Sequence, residues 1–442
     1  PADRSPTPRI RWAALVAVAL VLAGVGACSS DASDGATATS STAGASTVVD
    51  PSSTTAAAGD VGAATAPPST DPIAAPAVEA FTGSLDDFYR VPDPLPAGPA
   101  GSLIRTQTVA QDATSVTLRV MYRSVDVAGT PRAVTGIITY PTAAAPEGGW
   151  PVVAWAHGTS GLATQCAPSR LGSPAPDFGV ADVVRVATDY IGLGPIGERH
   201  AYLSGPSEAH SVIDAVRAAR TLPDAHASAT WAAIGHSQGG HAALWTNELG
   251  ASYAPELDFR GTVVVAPAAM LTETYGPKDQ IVPRTVGIMA LYGVATVDPR
   301  LDPDDYVSDL VAERSTVLDT GCLDQIIQQL ASIFDDDFYV KDPLHTEPAE
   351  TVVRENDPGQ VAVAAPLLLV YGTKDDWVVP DRVHALFDRL CSEDQVTDLV
   401  RIDGADHGTV MTQDVPVFTE WLTERLAADP ATPPDACADG WS

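Results

Sequence analysis

One ten-residue stretch constrains this chain more than any other: Trp231-Ala-Ala-Ile-Gly-His-Ser-Gln-Gly-Gly240. It holds the one Gly-x-Ser-x-Gly in the sequence, with Ser237 between Gly235 and Gly239. Thr230 to Ile234 is a short apolar run with strand character, and Gln238 to Leu249 reads as a helix. A serine at such a junction must stand proud of the sheet on a turn too tight for Cβ atoms on either side, which is what the glycines provide. A pentapeptide of this kind also occurs as an ordinary glycine-rich turn, so its meaning depends on what accompanies it.

Three other stretches accompany it. Pro366-Leu-Leu-Leu-Val-Tyr-Gly372 is a compact apolar run, as a buried parallel strand requires. It leads into a loop carrying Asp375 and Asp376, where the acid of a Ser-His-Asp triad would sit. Val396 to Ile402 is a further strand candidate, followed by the turn cluster Asp403-Gly-Ala-Asp-His-Gly408, which presents His407. The order Ser237, Asp, His407 is that of α/β-hydrolases, unlike the chymotrypsin-type and subtilisin-type orders. The spacing Asp376-x-x-x-Pro380 resembles the usual pattern of that superfamily and favours Asp376 over Asp375 as the acid; the alternative is that both aspartates cap the helix expected over Asp381 to Leu390. Finally, Pro151 to Ala156 is an apolar strand candidate followed by His157-Gly-Thr-Ser-Gly161. Stabilising an oxyanion takes backbone N–H donors aimed at it. One is expected from Gln238 and the other from this earlier loop, at Thr159 with Gly158 as the alternative. His157 is expected to organise the loop.

The N-terminal part has a different composition. Residues 1–11 are basic and Pro-rich, and Trp12 to Ala27 is apolar and uncharged, too short for a comfortable membrane span but suited to a signal-peptide core. The end of that run, Val25-Gly-Ala-Cys28, resembles a bacterial lipobox, so residues 1–28 are expected to be a signal peptide and Cys28 the lipidated anchor of an exported protein. Residues 29–80 are almost entirely Ala, Ser, Thr, Gly, Pro and Asp and are expected to form a disordered tether. The folded domain is expected over residues 81–442. Its strand candidates (Ser115 to Val125 and Arg132 to Tyr140 as an antiparallel pair at the sheet edge, then Val183 to Ala187 and Gly261 to Pro267) alternate with helices such as Glu208 to Thr221, giving an α/β class with a mostly parallel sheet flanked by helices. Between Ala269 and Pro366 this rhythm breaks into helical segments, Arg284 to Tyr292, Tyr306 to Leu318 and Leu323 to Phe334. They are expected to form an inserted, mainly helical cap over about residues 270–360.

Taken together, His157-Gly-Thr159 with Cys166-Ala-Pro-Ser169, Asp189-Tyr-Ile-Gly-Leu-Gly194, Ser207-Glu-Ala-His-Ser-Val-Ile-Asp-Ala-Val216 and Gly235-His-Ser-Gln-Gly-Gly-His-Ala-Ala243 resemble the secretory lipases of the α/β-hydrolase superfamily, the Candida antarctica lipase A-like group, over roughly Leu103 to Leu426. The resemblance implies an exported serine carboxylic-ester hydrolase, a lipase or esterase, with an inserted cap, two disulfides and no cofactor. It carries Ser237 as nucleophile, Asp376 as acid and His407 as base. Setting Cys28 aside leaves four cysteines, which allow three pairings. Leaning on the resemblance, Cys166–Cys322 is expected to pin the cap and Cys391–Cys437 the tail. No cysteine or histidine spacing suggests a metal site.

A formal net charge of −31 with scarce lysine argues against a nucleic-acid partner and against a basic lipid-binding patch. The expected partners are an acyl-ester or lipid substrate and, through Cys28, a membrane, with the protein otherwise a monomer. The same residues would serve an acyltransferase acting on cell-envelope lipids or sugars. A tethered binding protein has no need of all of them.

Overall fold

The computed structural model describes residues 78–276, 280–333 and 337–439. The expected signal peptide, Cys28 and nearly all of the expected tether lie outside these residues. At the end of the stretch expected as a tether, Glu79–Ala80 form a short strand, β1. The other strands are β2 (Leu103–Gln111), β3 (Ser115–Val125), β4 (Pro131–Pro141), β5 (Trp150–Ala156), β6 (Val184–Thr188), β7 (Ala227–His236), β8 (Asp258–Val265), β9 (Leu367–Gly372) and β10 (Thr397–Ile402). They form one sheet in the order β1-β2-β3-β4-β6-β5-β7-β8-β9-β10. From β6 to β10 every neighbouring pair is parallel, whereas β2, β3, β4 and β6 pair antiparallel. The β3–β4 pair is as expected but is not at the edge, since β2 and β1 lie outside it. Sequence analysis missed β2, in which polar Arg105, Thr106, Gln107 and Thr108 interrupt the apolar run.

The helices are α1 (Leu85–Phe88), α2 (Gly205–Arg220), α3 (Gln238–Tyr253), α4 (Leu271–Tyr275), α5 (Ile281–Val294), α6 (Asp309–Arg314), α7 (Val317–Thr320), α8 (Leu323–Leu330), α9 (Ala349–Asn356), α10 (Pro380–Ser392), α11 (Val415–Leu426) and α12 (Ala436–Asp439). Central strands such as β9 are buried along their whole length, because helices cover both faces. One face packs Val152, Val186 and Trp231 under Val212 and Val216 of α2. The other packs Val263 and Leu369 against Leu386 of α10 and Leu422 of α11. This is the α/β-hydrolase fold.

Helices α4 to α9 fall between β8 and β9, where the cap was expected, and the expected helix Tyr306 to Leu318 is broken into α6 and α7 at Ser315. The insertion packs an apolar cluster that includes Leu291, Val311, Leu318, Ile326, Leu330 and Phe338 and is joined by Leu162, Tyr202 and Leu203 from outside it. Cys322 caps α8 and is bonded to Cys166, while Leu323 N–H donates to Ser160 O at 3.0 Å. The cap is therefore fastened directly to the loop after β5. The second disulfide, Cys391–Cys437, joins α10 to α12. Both pairings match the expectation. Replacing Cys166 and Cys322 together by Ser is expected to cost about 2–4 kcal/mol in denaturant unfolding, because the pair closes a span of 156 residues.

The parallel registers position the site. Ala156 pairs with Gly235, His236 with Val265, and Gly372 with Ile402, so these strands end at one edge of the sheet. The loops that follow therefore converge there, the usual ligand-binding edge of a parallel sheet.

Candidate active site

Ser237 occupies the single residue between β7 and α3, with φ 59° and ψ −118°, a region that residues with a Cβ rarely visit. Three backbone hydrogen bonds hold it there: Ser237 N–H donates to Val265 O, and Ser237 O accepts from Ala268 N–H and His241 N–H. A Cβ at Gly235 would lie 1.9 Å from Gly239 O, and one at Gly239 would lie 1.9 Å from Ala156 O. The glycines on both sides of the serine are thus sterically required.

His407 lies in the loop after β10, with Nε2 2.9 Å from Ser237 Oγ and Nδ1 2.7 Å from Asp375 Oδ2. A carboxylate facing a ring nitrogen accepts, so Nδ1 carries the hydrogen and Nε2 offers its lone pair to the serine hydroxyl. The carboxylate at His407 is that of Asp375, not of Asp376, which corrects the expectation. Asp375 is buried and Asp376 is exposed. The reason is local. Asp375 Oδ1 accepts from the N–H groups of Trp377 and Val378, both at 2.9 Å. This side-chain turn draws Asp375 inward and leaves Oδ2 for the histidine, while its neighbour faces solvent.

Two residues not singled out from sequence complete the surroundings of His407. His236 Nε2 donates to His407 O at 2.8 Å, and the two rings lie 4.7 Å apart. Trp377 stacks on the His407 ring at 5.1 Å with an interplanar angle of 20°. His236 precedes the nucleophile in the pentapeptide. Trp377 follows the acid. Proximity in sequence to those two was the signal available.

On the opposite side of Ser237 runs the loop after β5. A Cβ at Gly158 would stand 3.6 Å from Ser237 Cβ, so this loop lies against the serine. Thr159 Oγ1 and Tyr202 OH are 2.7 Å apart. Gln238 opens α3, and the first N–H groups of a helix lack intrahelical acceptors. His157 is buried, its ring tilted against that of Tyr190 at 4.7 Å, and its carbonyl accepts from Tyr190 OH, which fits the expected organising role. Ser237 and His407 share a cavity of only about 20 Å³ with Tyr275, Pro283 and Val286 of the cap. That is room for about one water molecule. An apolar cavity of about 60 Å³ in the cap is lined by Leu271, Leu291, Val294 and Val352, and Tyr275 borders both. Among the described residues, no group of three or more His, Cys, Asp or Glu side chains could hold a metal ion.

Burial lowers the pKa of His200 to about 4, and burial together with the neighbouring His407 lowers that of His236 to about 4. An unfolded imidazole takes a proton near 6.5, so the unfolded chain binds more protons than the folded one between pH 6.5 and 4. Stability is therefore lost as pH falls through that window, on the order of 3 kcal/mol for the fully buried His200. Asp214 opposes this, since burial raises its pKa to about 6 and the folded state protonates first. Thermal denaturation from pH 7 to 4.5 is expected to show a falling midpoint, with a shallower fall in His200→Gln.

Residues 151–433 match the sequence model of the secretory lipases. The chain belongs to the secretory lipase family. It is 24% identical over 385 residues to a probable inactive lipase of Mycobacterium tuberculosis, an alignment spanning 79% of this chain and 83% of that protein. It is 25% identical over 217 residues to lipase A of Moesziomyces aphidis, covering 43% and 46% of the two. Among solved structures, Candida antarctica lipase A in its closed state aligns with a TM-score of 0.67 at 15% identity, over 79% of this chain and 87% of that one. The rice cell wall degrading esterase LipA of Xanthomonas oryzae aligns with a TM-score of 0.58 at 17% identity, over 74% and 97%. Secretory lipase membership makes lipid or ester substrates the natural class.

Proposed function

We propose that this secretory lipase family member is an active, exported carboxylic-ester hydrolase working through an acyl-enzyme on Ser237. The observation that carries the reading is the unbroken chain from Ser237 Oγ to His407 Nε2 at 2.9 Å and from His407 Nδ1 to Asp375 Oδ2 at 2.7 Å. His407 takes the proton from Ser237 as its oxygen attacks the ester carbonyl. Asp375 holds the imidazole tautomer and stabilises the imidazolium. The N–H groups of Gln238 and Thr159 bind the oxyanion, each such donor typically being worth about 3 kcal/mol. His407 then protonates the departing alcohol and afterwards activates the water that frees the acid.

The cavity at Ser237 is small for an ester, so entry of substrate would require the cap residues that line it to shift. The adjoining apolar cavity offers an acyl chain somewhere to go once they do. Export is supported by family membership, by the two disulfides and by the signal-like N-terminus, with lipidation of Cys28 as the proposed anchor.

The test is hydrolysis of p-nitrophenyl esters from C2 to C16 by the wild type and Ser237→Ala, with and without an added alcohol. Serine-dependent hydrolysis is expected. Transester product in place of free acid would make the chain an acyltransferase. No serine-dependent turnover at any length would contradict the proposal and favour a binding protein.

A further inference from the structure

Glu208, in the first turn of α2, is buried behind the serine turn, with 1% of its surface exposed. It touches no reacting atom. Its Oε1 accepts from Leu203 N–H at 3.0 Å and from the Gln238 side-chain amide at 2.8 Å. Its Oε2 lies 2.8 Å from His241 Nδ1, whose Nε2 is 2.8 Å from Asn356 O. The second hydrogen of the Gln238 amide goes to His200 Nε2 at 2.7 Å, and His200 Nδ1 faces Ile191 O at 3.0 Å. The amide thus spends both hydrogens on two fixed acceptors. The reverse orientation would press its oxygen against the carboxylate.

A buried carboxylate costs stability that an apolar side chain of similar volume would not. What the carboxylate adds is connection. It holds Gln238, the residue directly after the strained Ser237. It also holds Leu203, whose neighbour Tyr202 bonds Thr159 through its hydroxyl. The two backbone N–H groups assigned to the oxyanion therefore sit on residues tied to one carboxylate, Gln238 directly and Thr159 through the 202–203 segment. Without that tie the φ of 59° at Ser237 has one fewer restraint, and Gln238 N–H can swing off its target.

We infer that Glu208 is a positioning residue for the oxyanion hole, holding Gln238 and the 202–203 segment so that both backbone donors converge on one point. The inference rests on the ester-hydrolase reading above. Glu208→Gln keeps the tie to the serine turn, since its carbonyl accepts from Leu203 N–H and from the Gln238 amide, while its own amide reverses the single bond to His241 Nδ1. Glu208→Leu removes the hub at similar volume. Gln238→Leu cuts the same tie from the other side while keeping the backbone N–H.

The experiment compares kcat and KM of the three variants on a p-nitrophenyl ester, per active site counted by fluorophosphonate titration, together with inhibition by a trifluoromethyl ketone whose adduct carries an oxyanion. Misplacing a donor by about 1 Å costs roughly 100-fold. Glu208→Leu and Gln238→Leu are expected to lose about 10- to 100-fold in kcat with KM within about threefold, and to bind the ketone correspondingly more weakly. Glu208→Gln is expected to stay within about threefold of wild type. If Glu208→Leu does not fold, Gln238→Leu decides the matter. Folded variants with wild-type kcat, or a loss confined to KM or to thermal stability, overturn the inference and leave the hydrolase reading standing. A wild type without Ser237-dependent turnover overturns both.

Discussion

Asp375→Asn is expected to lower kcat by about 10⁴-fold with the fold intact, whereas Asp376→Asn stays within a few-fold of wild type. The asymmetry follows from how Asp375 is held. Its Oδ1 is fixed by the N–H groups of Trp377 and Val378, and an asparagine keeps its carbonyl oxygen there. The amide nitrogen must then face His407 Nδ1 and donate to it. That forces the hydrogen of His407 onto Nε2, which points at Ser237 Oγ, so the lone pair that should take the serine proton is gone. KM should change little. Asp376 is exposed and outside this chain of bonds. Steady-state kinetics of the two variants side by side checks the assignment, and the reverse pattern would return the acid to Asp376.

Ser237→Ala is expected to remove roughly 10⁴- to 10⁶-fold of turnover, the larger effect of the two, because without Oγ no acyl-enzyme forms and only oriented water remains. The loss should appear without unfolding. Alanine has the same Cβ as serine and tolerates φ 59° no worse, and the three backbone hydrogen bonds at position 237 do not involve the side chain. Thermal denaturation beside kcat separates the two effects. A midpoint close to wild type with activity abolished is the expected combination.

The chain order of Ser237, the acid loop and His407, which the structure brings together, was legible because glycines and apolar strands leave clear marks. A Cβ at Gly235 or Gly239 would come within 2 Å of a backbone oxygen, so the fold needs glycine at both places and the pair is visible in the sequence. His407 was legible because it follows the last apolar strand. The choice between Asp375 and Asp376 was not, since it turns on which carboxylate closes a side-chain turn onto Trp377 and Val378. Neighbouring residues of the same type differ there only in direction. Strand β2 was missed because Arg105 and Gln107 break its apolar pattern. Arg105 is nonetheless buried, its guanidinium donating to the carbonyls of Asp87, Phe88 and Arg90. The cap was legible as a break in rhythm, but not the interruption at residues 315–316 that divides α6 from α7. Glu208 stood in plain view in a helix that reads as amphipathic. Its tie to Gln238 spans 30 residues of sequence and appears only in three dimensions.

The acyl-enzyme itself gives the most direct test. Wild-type protein is mixed with a p-nitrophenyl ester, quenched in acid within the first turnovers and digested, and the peptide carrying Ser237 is weighed by mass spectrometry. The mechanism predicts a burst of p-nitrophenolate and a peptide heavier by one acyl group at Ser237, with neither in Ser237→Ala. Ester turnover with no adduct, or an adduct on another residue, would contradict it.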